Sequence, residues 1–296
     1  MLDLVIPARR RHIGLLEVGR VLPFAQRRMV GPFIFLDHMG PLVLPPNVPR
    51  DTDVRPHPHI GLATVTYLFE GEITHRDSLG VEQVIRPGAV NWMIAGGGIA
   101  HSERFDGVRK SGGPLHGLQA WVALPERDEE ASAGFTHYPH DELPTFRDRG
   151  INARLIAGTA YGIASRVKAQ SPLFYLHAEV EQGARLAMPP GHAERAAYIV
   201  RGEVEHEGRA YDAGSLLVFK PREAVLHARV GSTLMLLGGE PLGPRHIWWN
   251  FVSSRPERIE QAKADWKAGR FTLPVHDDKE FIPLPEEPKP VPEPMS

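Results

Sequence analysis

The chain repeats itself, and that constrains its fold more than any local motif. Tyr67-Leu68-Phe69-Glu70-Gly71-Glu72 returns as Tyr198-Ile199-Val200-Arg201-Gly202-Glu203, with tyrosine, glycine and glutamate at the same spacing. Downstream, Gly88 precedes His101 by 13 positions, and Gly214 precedes His227 by the same 13. Each copy reads as a strand, a glycine turn, a strand, a second turn and a histidine. Self-similarity of this kind fixes architecture before local detail. We expect two copies of one β-barrel unit joined near the charged stretch 125–134, rather than one continuous β-sandwich.

Local signals agree. Glycine and proline, 29 and 28 of 296 residues, are scattered between short β-prone runs, as in a barrel with many turns. The expected strands are Thr64–Phe69, Val81–Ile85, Ala89–Ile94, Leu118–Ala123, Leu173–Glu179, Ala197–Val200, Ser215–Phe219 and Thr233–Leu237. One segment reads as helix. Ser254 and Glu257 form a capping box, Ile259, Ala262 and Trp266 recur on one face, and Gly269 is a fitting stop. The end of the chain, from Pro283, is proline-rich and acidic and is expected to be extended or mobile. The expected division is a first barrel over 1–134, a second over 135–275 that includes the helix at 255–268, and a tail over 276–296.

Composition narrows the function classes. Hydrophobic residues make up 42%, as in a globular chain. A formal net charge of -2 gives no general pull toward nucleic acid or an acidic membrane. With no cysteine, disulfides, thiolate metal sites and cysteine nucleophiles are excluded. No h-region of signal-peptide length follows the basic cluster Arg9-Arg10-Arg11, which reads as a solvated face. No window approaches the ~18 apolar residues of a spanning helix. A soluble cytoplasmic protein is expected. Fifteen histidines direct attention to metal chemistry.

Two short pairs carry that chemistry. In His57-Pro58-His59 the imidazoles stand at i and i+2, which on a strand face the same side and reach one cation. Pro58 suits an edge strand or a strand entry. His101-Ser102-Glu103 is a second such pair, after Gly96-Gly97-Gly98, where backbone turns tightly or passes close to a neighbour. Separately these pairs read as surface histidines and a buried ion pair. Together they offer three imidazoles and a carboxylate, a set that suits Fe(II), Mn(II), Cu(II) or Zn(II).

A histidine pair, a strand ending in glycine, Pro-Gly and a further histidine resemble the cupin superfamily. HPHIGLATVTYLFEGE, RPGAVNWMIAGGGIAHSE and HGLQAWVALP resemble the first barrel of the pirin family, and RHIWWNFVSSRPERIEQAKADWKAGRF resembles the C-terminal end of its bacterial members. The resemblance runs from about Gly14 to Pro283. It implies an all-β fold of two tandem cupin barrels (double-stranded β-helix, or jelly-roll) with a short C-terminal helix. It also implies one Fe(II) in the N-terminal barrel, other divalent metals being possible, held by His57, His59, His101 and Glu103. The general cupin motif has a glutamate four residues after its second histidine; here that residue is Ala63, which leaves Glu103 as the only carboxylate and lowers the charge around the metal.

In the second copy, His57 and His59 fall on Met188 and Pro190, His101 on His227, Glu103 on Arg229 and Ala63 on Glu194. Arginine is a permanent cation and does not ligate, so this copy is expected to hold no metal in the same way. His192 and His206 read as surface or packing residues, Trp248-Trp249 as packing on the barrel or helix, and Asp37-His38 as structural. His116 and Gln119 are expected to line the pocket.

The resemblance implies a quercetin 2,3-dioxygenase activity: O₂-dependent cleavage of a flavonol's central ring with release of carbon monoxide. Glu103 is then the catalytic base for the flavonol 3-hydroxyl, with an apolar slot at the barrel mouth for a flat flavonol-like substrate. The alternative is a non-enzymatic, redox-sensing iron protein that regulates a transcription factor or metabolic enzyme through a protein–protein contact. A third reading is a scaffold whose iron is vestigial. None calls for direct nucleic-acid or membrane binding.

Overall fold

Alternation across each strand decides which side chains share a core. The computed structural model describes residues 1–286. In it the strand Leu62–Glu70 turns Ala63, Val65 and Tyr67 to one side and Thr64, Thr66 and Leu68 to the other. The first set meets Ala196, Tyr198 and Val200 of the strand Glu194–Arg201, the corresponding strand of the second copy, in an apolar layer between two sheets. Burying a Val or Leu in such a layer stabilises by roughly 1.5–3 kcal/mol.

Each copy folds as a pair of antiparallel sheets, the two-barrel, mostly β architecture that the cupin resemblance implies. The first barrel has a seven-stranded sheet in the order Gly134–Tyr138, Val90–Ile94, Leu62–Glu70, Gly113–Ala123, Phe33–Leu44, Leu16–Leu22, Arg9–Ile13. Its four-stranded sheet runs Val54–His59, Ile99–Arg104, Ile73–Asp77, Glu82–Ile85. The second barrel repeats the plan, with Glu194–Arg201 paired to Ser232–Gly239 and Ser215–Phe219, and a four-stranded sheet Arg185–Ala187, Val225–Ala228, Glu203–His206, Arg209–Asp212. All eight expected strands lie in these sheets. The strand Leu2–Pro7 pairs with Ser215–Phe219 in the second barrel, while Gly134–Tyr138 fills the matching edge of the first. The two barrels therefore interlock at their ends.

The repeated residues have structural reasons. Gly71 and Gly202 close equivalent turns at φ 84° and 89°, where a Cβ would fall 2.2 Å from the Pro114 carbonyl and 2.3 Å from the Ser232 hydroxyl. The repeated tyrosines reach across the interface. Tyr67 Oη lies 2.8 Å from His177 Nδ1, and Tyr198 Oη lies 2.8 Å from His38 Nδ1. On the ladders, Leu118 separates His38 from Tyr67 and Met235 separates His177 from Tyr198, so the two bonds are pseudo-symmetric. Asp37 and His38, as neighbours on a strand, point to opposite sides: Asp37 is inside the barrel on a bidentate Arg20, at 2.9 and 2.8 Å. Both are structural, as expected.

Burial, and then the neighbouring His116, hold the His38 imidazole down at about 4. A histidine with a depressed folded-state pKa contributes stability that is complete above its unfolded value near 6.5 and is lost as pH falls toward 4. The interface should therefore lose on the order of 3 kcal/mol across that window. Urea unfolding at pH 7, 5.5 and 4.5 should show a shallower acid limb for His38→Gln than for the wild type. Parallel limbs would remove His38 as the cause.

The helix forms at Pro256–Lys267 and buries Ile259, Ala262 and Trp266, as expected. Its expected capping box does not form. Ser254 instead gives its backbone N–H and hydroxyl to Glu129, at 2.9 and 3.0 Å, and Arg255 caps without a side-chain bond. Glu129 is 3% exposed and needs those donors, with Ser253 and Arg245 completing its shell. The expected tail at 276–296 is docked over the part described. Asp277 and Glu280 pair with Arg104, the Ile282 N–H bonds the Pro56 carbonyl, and Trp266 Nε1 donates to the Ile282 carbonyl. The rest of the proline-rich segment, 287–296, lies outside the described residues.

Candidate metal centre

The interiors of the two barrels differ in kind. The second is one apolar cluster that includes Leu155, Phe174, Leu176, Ile199, Leu217 and Leu234. The first is split into an apolar cluster around Leu68, Ile85 and Phe105 and another around Phe35, Met93 and Trp121. Between them lie the buried polar side chains of Asp37, Thr64, Thr66, Asn91 and Gln119, together with His57, His59 and His101. Burying so many polar groups is costly unless they are paired or serve a ligand.

Three imidazoles meet there. His57 and His59 stand at i and i+2 on the edge strand Val54–His59, where Pro58 forfeits no ladder bond. His101 lies directly opposite His57 on Ile99–Arg104. One ligand nitrogen from each lies within 4.8 Å of the others. Exposure is 6%, 1% and 1%. His57 Nδ1 donates to the Arg55 carbonyl at 2.8 Å and His59 Nδ1 to the Asn250 carbonyl at 3.2 Å, which leaves each Nε2 as a bare lone pair. His101 Nε2 is buried without a hydrogen-bond partner. A buried, unpartnered nitrogen beside two other imidazoles fits a metal ion. Burial holds His57 at about 4 and keeps His59 and His101 well below the usual imidazole range, so all three are neutral ligands at pH 7. The C-terminal helix supports them from behind, in a cluster where Ile259, Ala262 and Trp266 join Ile60, Ala100 and Phe251.

The structure does not bring Glu103 into that group of three. The ladder is irregular between His101 and Glu103. The carboxyl lies beside Thr66, whose hydroxyl is 3.4 Å from Glu103 Oε1 and 2.8 Å from Gln119 Oε1. One hydroxyl hydrogen cannot serve both, so Glu103 is short of donors. Desolvation by burial raises its pKa to about 7, against the opposing hydrogen bond from Thr66.

Several expectations need correction. His57 and His59 do not correspond to Met188 and Pro190. The ladders match them to Arg185 and Ala187, because Arg185 faces His227 as His57 faces His101. The connection to the next strand is longer in the second copy, so a constant offset fails there. Ala63 points into the layer between barrels, away from the imidazoles, so its lack of charge does not bear on the metal. Gln119 lies in the polar layer, but His116 does not. His116 Nε2 meets His38 Nε2 at 2.8 Å beside a cavity of about 390 Å³ between the barrels. His192 and His206 bond the Thr159 and Val225 carbonyls, as packing residues do. Trp248 and Trp249 pack on the helix side chains Lys263 and Trp266. Among the described residues, the three-histidine group is the only cluster of its kind. Sequence reasoning missed His75 and Asp77, both buried beside His101, although they too form an i, i+2 pair.

The pirin family profile matches residues 15–122, and the profile of the pirin C-terminal cupin domain matches 175–272. A pirin-like protein of Caulobacter vibrioides is 60% identical over 288 residues, covering 97% of this chain and 100% of that protein. The crystal structure of a quercetin 2,3-dioxygenase from Acinetobacter baumannii superposes with a TM-score of 0.88 at 31% identity, over 97% of this chain and 96% of that one. A bacterial pirin from Escherichia coli, crystallised with nickel(II), shares the fold at a TM-score of 0.64 and 19% identity, over 80% of this chain and 99% of that one.

Proposed function

The chain belongs to the pirin family, and from that premise we propose that it is an iron-dependent dioxygenase of the quercetin 2,3-dioxygenase type. The observation that carries the reading is the convergence of three neutral imidazoles in the polar layer of one barrel only. Likeness to the A. baumannii quercetin dioxygenase over nearly the whole chain supports it.

In this reading His57, His59 and His101 hold one Fe(II), and Glu103 completes the set. The bound iron supplies the redox chemistry that lets O₂ react with a closed-shell organic molecule. The protein's own groups do the rest. Thr66 presents its hydroxyl to Glu103 from the facing sheet, and Gln119 competes for the same hydroxyl hydrogen. Glu103, a donor-poor carboxylate, accepts the flavonol 3-hydroxyl proton. A carboxylate stripped of donors is a better base than a solvated one. Phe35 and Trp121, stacked at 3.9 Å with Trp121 edge-on to His59, form an apolar wall for a flat ring system.

Aerobic incubation of iron-loaded protein with quercetin should consume the flavonol and release carbon monoxide. Absence of both products with fully loaded protein would move the reading to a redox-sensing iron protein that acts through a partner.

A further inference from the structure

The three imidazoles are not held alike. His57 and His59 give Nδ1–H to backbone carbonyls, whereas His101 Nδ1 faces another side chain, His75 Nδ1, at 3.2 Å. His75 and Asp77 lie on Ile73–Asp77, hydrogen-bonded to the His101 strand, with Asp77 opposite His101 and His75 opposite Glu103. His75 Nε2 lies 2.9 Å from Asp77 Oδ2, while Asp77 Oδ1 accepts the Leu79 and Val81 N–H groups at 2.9 and 3.1 Å. Asp77 is wholly buried and His75 is stacked on Phe135 at 4.4 Å.

Donor and acceptor roles then follow one from the next. A carboxylate that already takes two backbone N–H groups is an acceptor, so His75 Nε2 carries a hydrogen. The other nitrogen of a neutral imidazole is then bare, so His75 Nδ1 accepts. His101 Nδ1 must therefore carry a hydrogen, and its Nε2 is left as a lone pair. That Nε2 is the buried nitrogen without a partner. The second barrel keeps a histidine at the matching place, His227, but Glu205 stands opposite it, and Glu203 and Glu205 pair with Arg229. That copy has neither the imidazole link nor the histidine pair.

We propose that His75 and Asp77 are positioning residues that hold His101 in its Nδ1–H form and aim its Nε2 at the metal. This rests on the reading that His57, His59 and His101 bind a metal. Zn(II), which is redox-silent, is the probe, with affinity measured by chelator competition. His75→Leu removes the acceptor and should weaken binding about 10- to 100-fold, as loss of a ligand's hydrogen-bond partner does elsewhere. His75→Asn places an amide oxygen where Nδ1 stood and should restore most of the affinity. A role limited to packing on Phe135 would weaken both variants alike, and that result, or unchanged affinity in His75→Leu, would overturn the proposal. Imidazole ¹⁵N NMR of the Zn(II)-loaded wild type gives a test that needs no variant to fold: His101 should carry its hydrogen on Nδ1, and a hydrogen on Nε2 would overturn the inference. If the wild type takes up no Zn(II), or His57→Ala binds as well as the wild type, the metal reading itself fails.

Discussion

Glu103→Gln should lower flavonol turnover per bound iron by about 100- to 10,000-fold, the usual worth of a positioned general base. The glutamine keeps the shape of the side chain and leaves the three imidazoles in place, so part of the metal should remain bound. An amide oxygen is a weak ligand and a negligible base. Turnover should therefore fall much further than metal content does. Reporting the rate per iron separates the two functions of one residue. Equal rates per iron in wild type and variant would leave Glu103 as a ligand at most and pass the base function to another group. A purely regulatory centre forecasts no flavonol turnover in either form. The local geometry favours the base: Thr66 has a single hydrogen to divide between Glu103 and Gln119, which leaves the carboxylate short of donors.

The repeat was legible because its conserved spacing serves hard constraints. Gly71 and Gly202 occupy positive φ with no room for a Cβ, and Tyr67 and Tyr198 each bond a histidine of the opposite barrel. Such residues cannot drift in position within a copy, so the two copies align by eye. Where a loop sits between constraints, counting fails. The longer connection before Glu194 displaced the second copy's register, so the residues opposing His227 had to be found from the ladder. The H-x-H pair was legible because alternation on one strand is a local property. The polar layer was not, because Asp37, Thr66, Asn91 and Gln119 come from four strands and share no local pattern. The capping box at Ser254 failed for a related reason. A buried carboxylate 125 residues earlier in the chain needed the same serine, and a tertiary demand outweighed a local preference.

The imidazole cluster makes the other large forecast. Purified wild-type protein should carry about one transition-metal ion per chain, and His57→Ala or His101→Ala should each remove most of it. Each residue supplies one of the three closely grouped nitrogens, and the pocket has been built around their neutral forms, so the two imidazoles left, even with Glu103, should not hold an ion against dilution and chelation. The repeat provides the control within the same molecule. Glu194 holds Arg27 and the Gly31 N–H, at 3.0 and 2.6 Å, and His227 stands opposite Arg185, beside an Arg229 that pairs with Glu203. Glu194→Ala and His227→Ala should therefore leave metal content at the wild-type value, even where Glu194→Ala costs stability. Elemental analysis of all four variants after the same purification decides the matter. Unchanged metal in His57→Ala and His101→Ala would place the ion elsewhere. Two ions per chain, with one lost in His227→Ala, would give the second barrel a centre that its arginines argue against.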